Sequence, residues 1–366
     1  MELWQSPLEG RIAVLPNPAF WSGRQVFLTG HTGFKGAWLA VWLQRLGAIV
    51  TGFSLPGEPG SLGAAIGIDT RLAATRGDIR DAAVIRSALQ AASPQIVVHL
   101  AAQALVRRSY ADPIETFETN VLGTAQVLEA VRACPGILAV VVVTTDKCYE
   151  PREWAWPYRE TDALGGRDPY SASKAGAELV AACWRSSFLA EAGVAVATAR
   201  AGNVVGGGDP SPDRLVPDCI RAFAAHETVR IRSPNATRPW QNVLDPLCGY
   251  LLLAERLAFA TDFARAWNFG PGPDDVRPVG EVVRILAQAW GDDAGWSVDA
   301  GAHPHEAGLL AVDASLARAR LGWRPRLPLD LALAATARWY RRSLEGADQH
   351  DLMLADIDDY QADLCP

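Results

Sequence analysis

Residues 25–36 read QVFLTGHTGFKG. The first five, Gln25 to Thr29, are apolar or β-branched at four of five positions and read as a strand. Gly30, Gly33 and Gly36 follow at G-x-x-G-x-x-G spacing, and 34–46, closed by Gly47, reads as a helix. In such a turn one glycine permits the tight bend, the next lets backbone approach a pyrophosphate, and the third allows close helix–strand packing. The helix N-terminus adds unpaired N–H groups and partial positive charge for the anion. Glycines at this spacing also occur in ordinary loops, so the strand before and the helix after carry the reading.

Outward from that turn, short apolar runs alternate with amphipathic stretches. Strands are expected at 49–53, 72–76, 96–100, 139–144, 195–200 and around 267–269. Between the fourth and fifth, Ile114, Phe117, Val121, Leu122, Ala125 and Leu128 fall at helical spacing and predict one helix over 112–131. Further helices are expected at 170–191, 245–259 and 279–290. Near-continuous apolar strands separated by helices predict an α/β fold: a Rossmann-type, doubly wound parallel sheet with a smaller, interleaved substrate-binding lobe. The expected division is 1–202, with returning segments 243–269 and about 311–330, for the dinucleotide-binding domain. Segments 203–242 and 270–310 form the lobe, and 331–366 the C-terminal helix and tail, acidic from Asp348 and loosely held.

The whole chain has 366 residues, 49% hydrophobic and 20% charged, which suits a globular protein with a sizeable core. A formal net charge of −7 makes a general nucleic-acid binder a poor reading. No window of about 20 residues is both apolar and uncharged, so no membrane span or secretory leader is expected. The six cysteines form no C-x-x-C pair and fit reduced thiols in a cytoplasmic protein.

The end of the second strand, Ser54-Leu55-Pro56, offers neither the acid that would bind a ribose 2′-hydroxyl nor a cation for a 2′-phosphate, which leans to NAD. Asp78 either meets the adenine or caps the following helix. His31 and Lys35, inside the turn, either touch the cofactor or are solvated. Tyr170 and Lys174 form Y-x-x-x-K on one helical face. A neighbouring ammonium is expected to lower the phenol's pKa and let it remove a hydroxyl proton. Thr145, at the carboxyl edge of the fifth strand, is placed to hydrogen-bond the reacting oxygen. His303 and His305 form a lone H-x-H without a third ligand, so no metal is expected.

The motifs T-G-x-x-G-F-x-G, G-D-I-R-D, H-L-A-A-Q, T-N-V-x-G-T, T-T-D-K and Y-S-A-S-K together resemble the extended short-chain dehydrogenase/reductase superfamily of NAD-dependent epimerases and dehydratases. Within it the chain is most similar to the CDP-glucose 4,6-dehydratases. The segments that carry this are GHTGFKGAW (30–38), TDKCYEPREWAW (145–156), AGNVVGGG (201–208), RPWQNV (238–243) and HPHEA (303–307). The resemblance implies a lyase that oxidises C4 of a nucleotide-linked glucose, removes water across C5–C6 and returns the hydride to C6, with NAD kept bound. Other nucleotide sugars, epimerisation, or an inactive dinucleotide sensor are the alternatives.

It also implies site residues. Phe34, Ile79, Leu100, Ala101, Ala102 and Thr119 would contact the cofactor. Ser109, Asn203, Arg214, Leu215, Arg232, Arg238 and His305 would contact the nucleotide sugar, Arg238 by a guanidinium fork on the diphosphate. Asp146 would serve as general acid if its pKa is raised by burial. Lys147 replaces the glutamate of many relatives; it either acts, as the neutral amine, as the C5 base or only positions Asp146. Trp154, Trp156 and Trp240 are expected near the pocket. A homodimer, possibly a tetramer, built on the two helices 112–131 and 170–191 follows from the same resemblance, as does a place in dideoxysugar synthesis for a lipopolysaccharide O-antigen.

Overall fold

The computed structural model describes residues 14–291, 294–299, 301 and 309–362. Seven strands form one parallel sheet: β1 Gln25–Thr29, β2 Ile49–Ser54, β3 Ala73–Arg76, β4 Ile96–His99, β5 Ala139–Val143, β6 Ala195–Ala201 and β10 Ala266–Phe269. Their order is β10-β6-β5-β4-β1-β2-β3. β5 is buried at every position, as a strand covered on both faces must be. Strand order reverses between β1 and β4, where Val26 pairs with Ile96 and Thr29 with His99. A crevice opens at such a switch point, at the carboxyl ends of the strands.

Beyond β6 the chain builds two small sheets. β7 Asn203–Val205, β9 Thr237–Asn242 and β11 Val276–Pro278 form one. β8 Val229–Ile231 and β12 Trp296–Val298 form the other.

The predicted helix over 112–131 is three pieces: Pro113–Phe117, a π-helical turn Glu118–Leu122, and Gly123–Arg132. The turn buries Asn120, whose Nδ2 donates to the Gln103 carbonyl and to Ser173 Oγ, each at 2.9 Å. A second π turn, Arg185–Leu189, follows the helix Pro169–Trp184. Apolar periodicity does not reveal a one-residue bulge of this kind.

The C-terminal segment is not loosely held. Gln349–Ala362 is a helix with Leu352, Met353, Ile357 and Tyr360 buried, Asp351 and Asp358 exposed, and Asp356 and Asp359 half-buried. Tyr360 packs edge-on against Trp42 at 5.5 Å, and its hydroxyl donates to Asp245 Oδ1 at 2.9 Å. Arg45 donates to both carboxylate oxygens of Asp358. The helix thus covers Phe34–Arg45, which is apolar on nearly every face and needs a layer on its outer side. Tyr360→Ala is expected to destabilise the protein by about 3–5 kcal/mol, as for other emptied aromatic sites. The measurement is a lower urea midpoint at unchanged slope.

Candidate active site

At the carboxyl edge of the sheet lies a cavity of about 1010 Å³. The glycine turn forms its floor. Gly30 has φ +77°, and a Cβ there would stand 2.8 Å from the Ala101 amide. A Cβ on Gly36 would collide with the Gly30 carbonyl, so only glycine lets the helix Phe34–Arg45 start this close to β1. Gly33 is the exposed N-cap, and it leaves the first amides of the helix open to the cavity.

Phe34, Lys35, Asp78, Ile79, Leu100, Ala101, Ala102 and Thr119 all line the cavity. Asp78 does not cap a helix: its carboxylate is held by the Arg80 side chain at 2.6–3.1 Å, and Asp81 is the cap. His31 is neither solvated nor at the cavity. It is fully buried against Gly52, with Nε2 2.9 Å from Asp69 Oδ1, and burial holds its pKa down at about 4. Glu58 lines the cavity just past Gly57 and was missed because the reading of the second strand stopped at Pro56. Arg76 also reaches the end of β2, donating to the Leu55 carbonyl at 2.9 Å, but it is paired with Asp69.

Thr145, Tyr170 and Lys174 meet at the cavity wall, all nearly buried. Asp168 caps the helix that carries the last two, accepting from Ser171 N–H at 2.9 Å, with Pro169 in the first turn. Ser109 is fully buried and does not line the cavity. Its Oγ accepts from the Tyr170 amide at 3.1 Å and donates to the Val106 carbonyl, so it anchors the helix start rather than meeting a ligand. The expected lowering of the Tyr170 pKa is not found in the unliganded chain. Burial raises it to about 12, against a hydrogen bond with Thr145 and the charge of Arg214. Lys174 Nζ donates to the Val143 carbonyl at 3.2 Å, and burial lowers it to about 8. Lys35 is lowered to about 7 by burial and by Arg214.

Asp146 and Lys147 differ in their access to the cavity. Asp146 has no exposed surface. Its Oδ1 accepts from Thr145 Oγ1 at 3.1 Å and from Lys147 Nζ at 3.3 Å, while Oδ2 faces Gly202, where a Cβ would stand 2.9 Å away. Lys147 lines the cavity, and its Nζ also donates to Asn203 Oδ1 at 3.2 Å. The lysine therefore faces the cavity, and the aspartate lies behind it. The sequence contains three lysines, and all three line this cavity.

On the other side stand Asn203, Arg214, Leu215, Arg232 and Arg238. Arg214 pairs with Asp209 at 3.2 Å, and Arg238, 7% exposed, donates to the Thr237 carbonyl at 2.9 Å. Arg107, Arg108, Arg167 and Arg230 also line the cavity; apart from the adjacent Arg107 and Arg108 they lie far apart in sequence, so no long charge run marked them. Trp240 is at the wall. Trp154 packs on the Tyr158 ring, and Trp156 is 73% exposed; neither lines the cavity. His303 and His305 lie outside the described residues.

Residues 26–269 match the family described as "NAD dependent epimerase/dehydratase family". The chain belongs to this family. It is 47% identical to the CDP-glucose 4,6-dehydratase of Salmonella typhimurium over 351 residues, covering 94% of this chain and 98% of that one. The dTDP-glucose 4,6-dehydratase of Streptomyces griseus is 31% identical over 87% of this chain and 94% of its own length. Among solved structures, DesIV, a dTDP-glucose 4,6-dehydratase from Streptomyces venezuelae with NAD and TYD bound, superposes with a TM-score of 0.74 at 28% identity. It covers 89% of this chain and 99% of that one. MoeE5 in complex with UDP-glucose and NAD gives 0.73 at 27%, covering 87% and 99%.

For a member of this family the residues fit a dinucleotide. The cradle admits no side chain at Gly30 or Gly36, the open amides after Gly33 suit a pyrophosphate, and the cavity has volume for a second ligand besides. No helix of the described residues is long and apolar enough to cross a membrane.

Proposed function

We propose that this chain dehydrates CDP-glucose to CDP-4-keto-6-deoxyglucose with NAD as its retained cofactor. The observation that carries the reading is Lys147, held by Asp146 and Asn203 and facing the same cavity as Thr145, Tyr170 and Lys174. Oxidation at C4, which an epimerase also performs, needs only the latter three. A proton-transfer group beside them is what an elimination adds. The 47% identity to the Salmonella enzyme along nearly the whole chain supports CDP-glucose as the substrate.

Tyr170 takes the C4 hydroxyl proton while Thr145 hydrogen-bonds the same oxygen and Lys174 supplies positive charge beside them. NAD, which the Gly30–Gly36 turn would hold, would supply the acceptor for the C4 hydrogen and the donor that returns it to C6. The C4 ketone acidifies C5. Lys147 takes the C5 proton and delivers one to the C6 oxygen, which leaves as water, and C5 takes up a solvent-derived proton when the hydride is returned to C6. Asp146 holds Nζ in place through this step. Asn203, Arg232 and Arg238 face the diphosphate, and Glu58 accepts from a ribose 2′-hydroxyl and repels a 2′-phosphate, which favours NAD over NADP.

The proposal extends to organisation. Segments 203–242 and 270–310 act as the nucleotide-sugar lobe on the dinucleotide-binding remainder. Ile114, Leu122 and Leu179 are 68%, 59% and 61% exposed on the two helical stretches named for dimerisation, which supports a homodimer packed through them. The five described cysteines are free, in keeping with a cytoplasmic enzyme. Its product suits the synthesis of dideoxysugars for a surface polysaccharide.

The test is incubation with CDP-, dTDP-, UDP- and GDP-glucose plus added NAD, followed by alkaline absorbance for a keto sugar. Product from CDP-glucose alone is expected. Product from another nucleotide instead would move the assignment to that sugar. No product from any would overturn CDP-glucose dehydration and leave the dinucleotide sensor or a sugar outside the four.

A further inference from the structure

We infer that Glu178, buried behind the cavity wall and itself outside the cavity, is a positioning residue that sets the charge of Lys174 and the orientation of Thr145. The inference rests on the reading under Proposed function and adds to it a group outside the cavity.

Glu178 lies on the helix Pro169–Trp184, four residues beyond Lys174 and eight beyond Tyr170, hence on the same face. It is 3% exposed. Its Oε1 accepts from Thr144 Oγ1 at 2.5 Å, and its Oε2 accepts from Thr198 Oγ1 and from Arg200 Nη2, both at 2.7 Å. Thr144 stands between the two backbone positions the chemistry uses. On one side is Val143, whose carbonyl accepts from Lys174 Nζ at 3.2 Å. On the other is Thr145, whose hydroxyl faces Tyr170. One carboxylate therefore ties the end of β5 to the helix that bears the Tyr–Lys couple.

Arg200 extends the tie. Its Nη1 donates to Tyr149 Oη at 2.8 Å and to the Glu160 carbonyl at 3.2 Å, and its guanidinium lies 4.9 Å over the Tyr149 ring. Tyr149 donates in turn to Asn268 Oδ1 at 2.6 Å. The turn carrying Asp146 and Lys147 ends at Tyr149, so the same network fixes both halves of the site.

A buried pair of this kind is a weak source of stability, since apolar replacement of both partners is often neutral. Its placement against Lys174 gives it another role. Of the groups around Lys174, Cys148 is a thiol raised well above its ordinary value by burial. His99 is held neutral by burial, with a pKa of about 3, and Lys35 carries the same sign of charge. Tyr170 is a neutral phenol in the unliganded chain. Glu178 is the charge that opposes the desolvation of the Lys174 ammonium. Without it the lysine loses its proton at lower pH, and with it the charge that assists Tyr170.

The test uses the full chain with 13C-labelled lysine. Three lysines give three signals, and Lys174→Arg assigns the relevant one. The wild-type Lys174 signal is expected to titrate near 8. Glu178→Gln should move that midpoint down by about 1 pH unit or more. The alkaline limb of kcat for keto-sugar formation should move with it, at unchanged KM, while Glu178→Asp keeps both near the wild type. Should Glu178→Gln leave Arg200 too costly to bury, the double variant E178Q/R200M removes both charges and keeps the downward shift. A Lys174 midpoint that stays at the wild-type value in these variants overturns the inference. Failure of the wild type to form keto sugar would instead strike the function proposed above, and the NMR midpoint would still decide the role of Glu178.

Discussion

Tyr170→Phe lowers keto-sugar formation by about 10²–10⁴-fold, the contribution of a positioned acid–base group. The substitution removes one oxygen and leaves the ring that fills the site, so the fold and both ligand sites should persist. The amide of residue 170 still donates to Ser109 Oγ, and Asp168 still caps the helix. The loss falls on kcat and on kcat/KM alike, because the phenol acts only as the C4 hydroxyl gives up its proton. A substrate deuterated at C4 checks the step: the variant should leave the label in place, with no transfer to C6. A variant that moves the label at the normal rate would show that another group accepts the proton.

Lys147→Ala has the second large effect, and it falls later in the reaction. Oxidation at C4 should continue, because Thr145, Tyr170 and Lys174 keep their contacts. Removal of the C5 proton should slow by about 10²–10⁴-fold. The 4-keto hexose still bearing its C6 hydroxyl would then accumulate on the enzyme, visible by mass spectrometry after rapid quenching. In deuterium oxide the wild type places solvent deuterium at C5 of its product, and the variant should do so only at the slowed rate. Dehydration at the wild-type rate would assign the C5 proton to a different base. Asp146 has no exposed surface and reaches the cavity through Thr145 and Lys147, so Asp146→Asn should impair the same step by displacing Nζ.

The glycine turn, β1 and the Tyr170–Lys174 couple were legible because each is local. Three glycines, one strand and one helix lie within about twenty residues, and Y-x-x-x-K needs only one helical turn. What was not legible depends on contacts far apart in sequence. His31 reads as a polar turn residue, yet Gly52 and Asp69 enclose it. Ser109 matches a substrate position, yet the structure spends its oxygen on the Tyr170 amide. The acidity of the last residues hid a four-residue apolar stripe. The sign of the Tyr170 shift depends on how deeply the phenol is buried, which no motif encodes. One signal was present and unused: with only three lysines in the chain, their positions alone point to the cavity. Arginine serves elsewhere, while a lysine's proton affinity can be tuned by its surroundings.

The seat of Tyr360 against Trp42 has a consequence for how the chain is made. The outer face of the helix Phe34–Arg45 finds its cover in a segment far downstream in the sequence. A nascent chain on the ribosome therefore carries an apolar helix without its lid until residue 360 has been made. Contacts this distant slow folding and prolong the exposure of sticky surface. Production at low temperature or with chaperones in excess should raise the soluble yield, and a premature stop before residue 360 should send the product to aggregates.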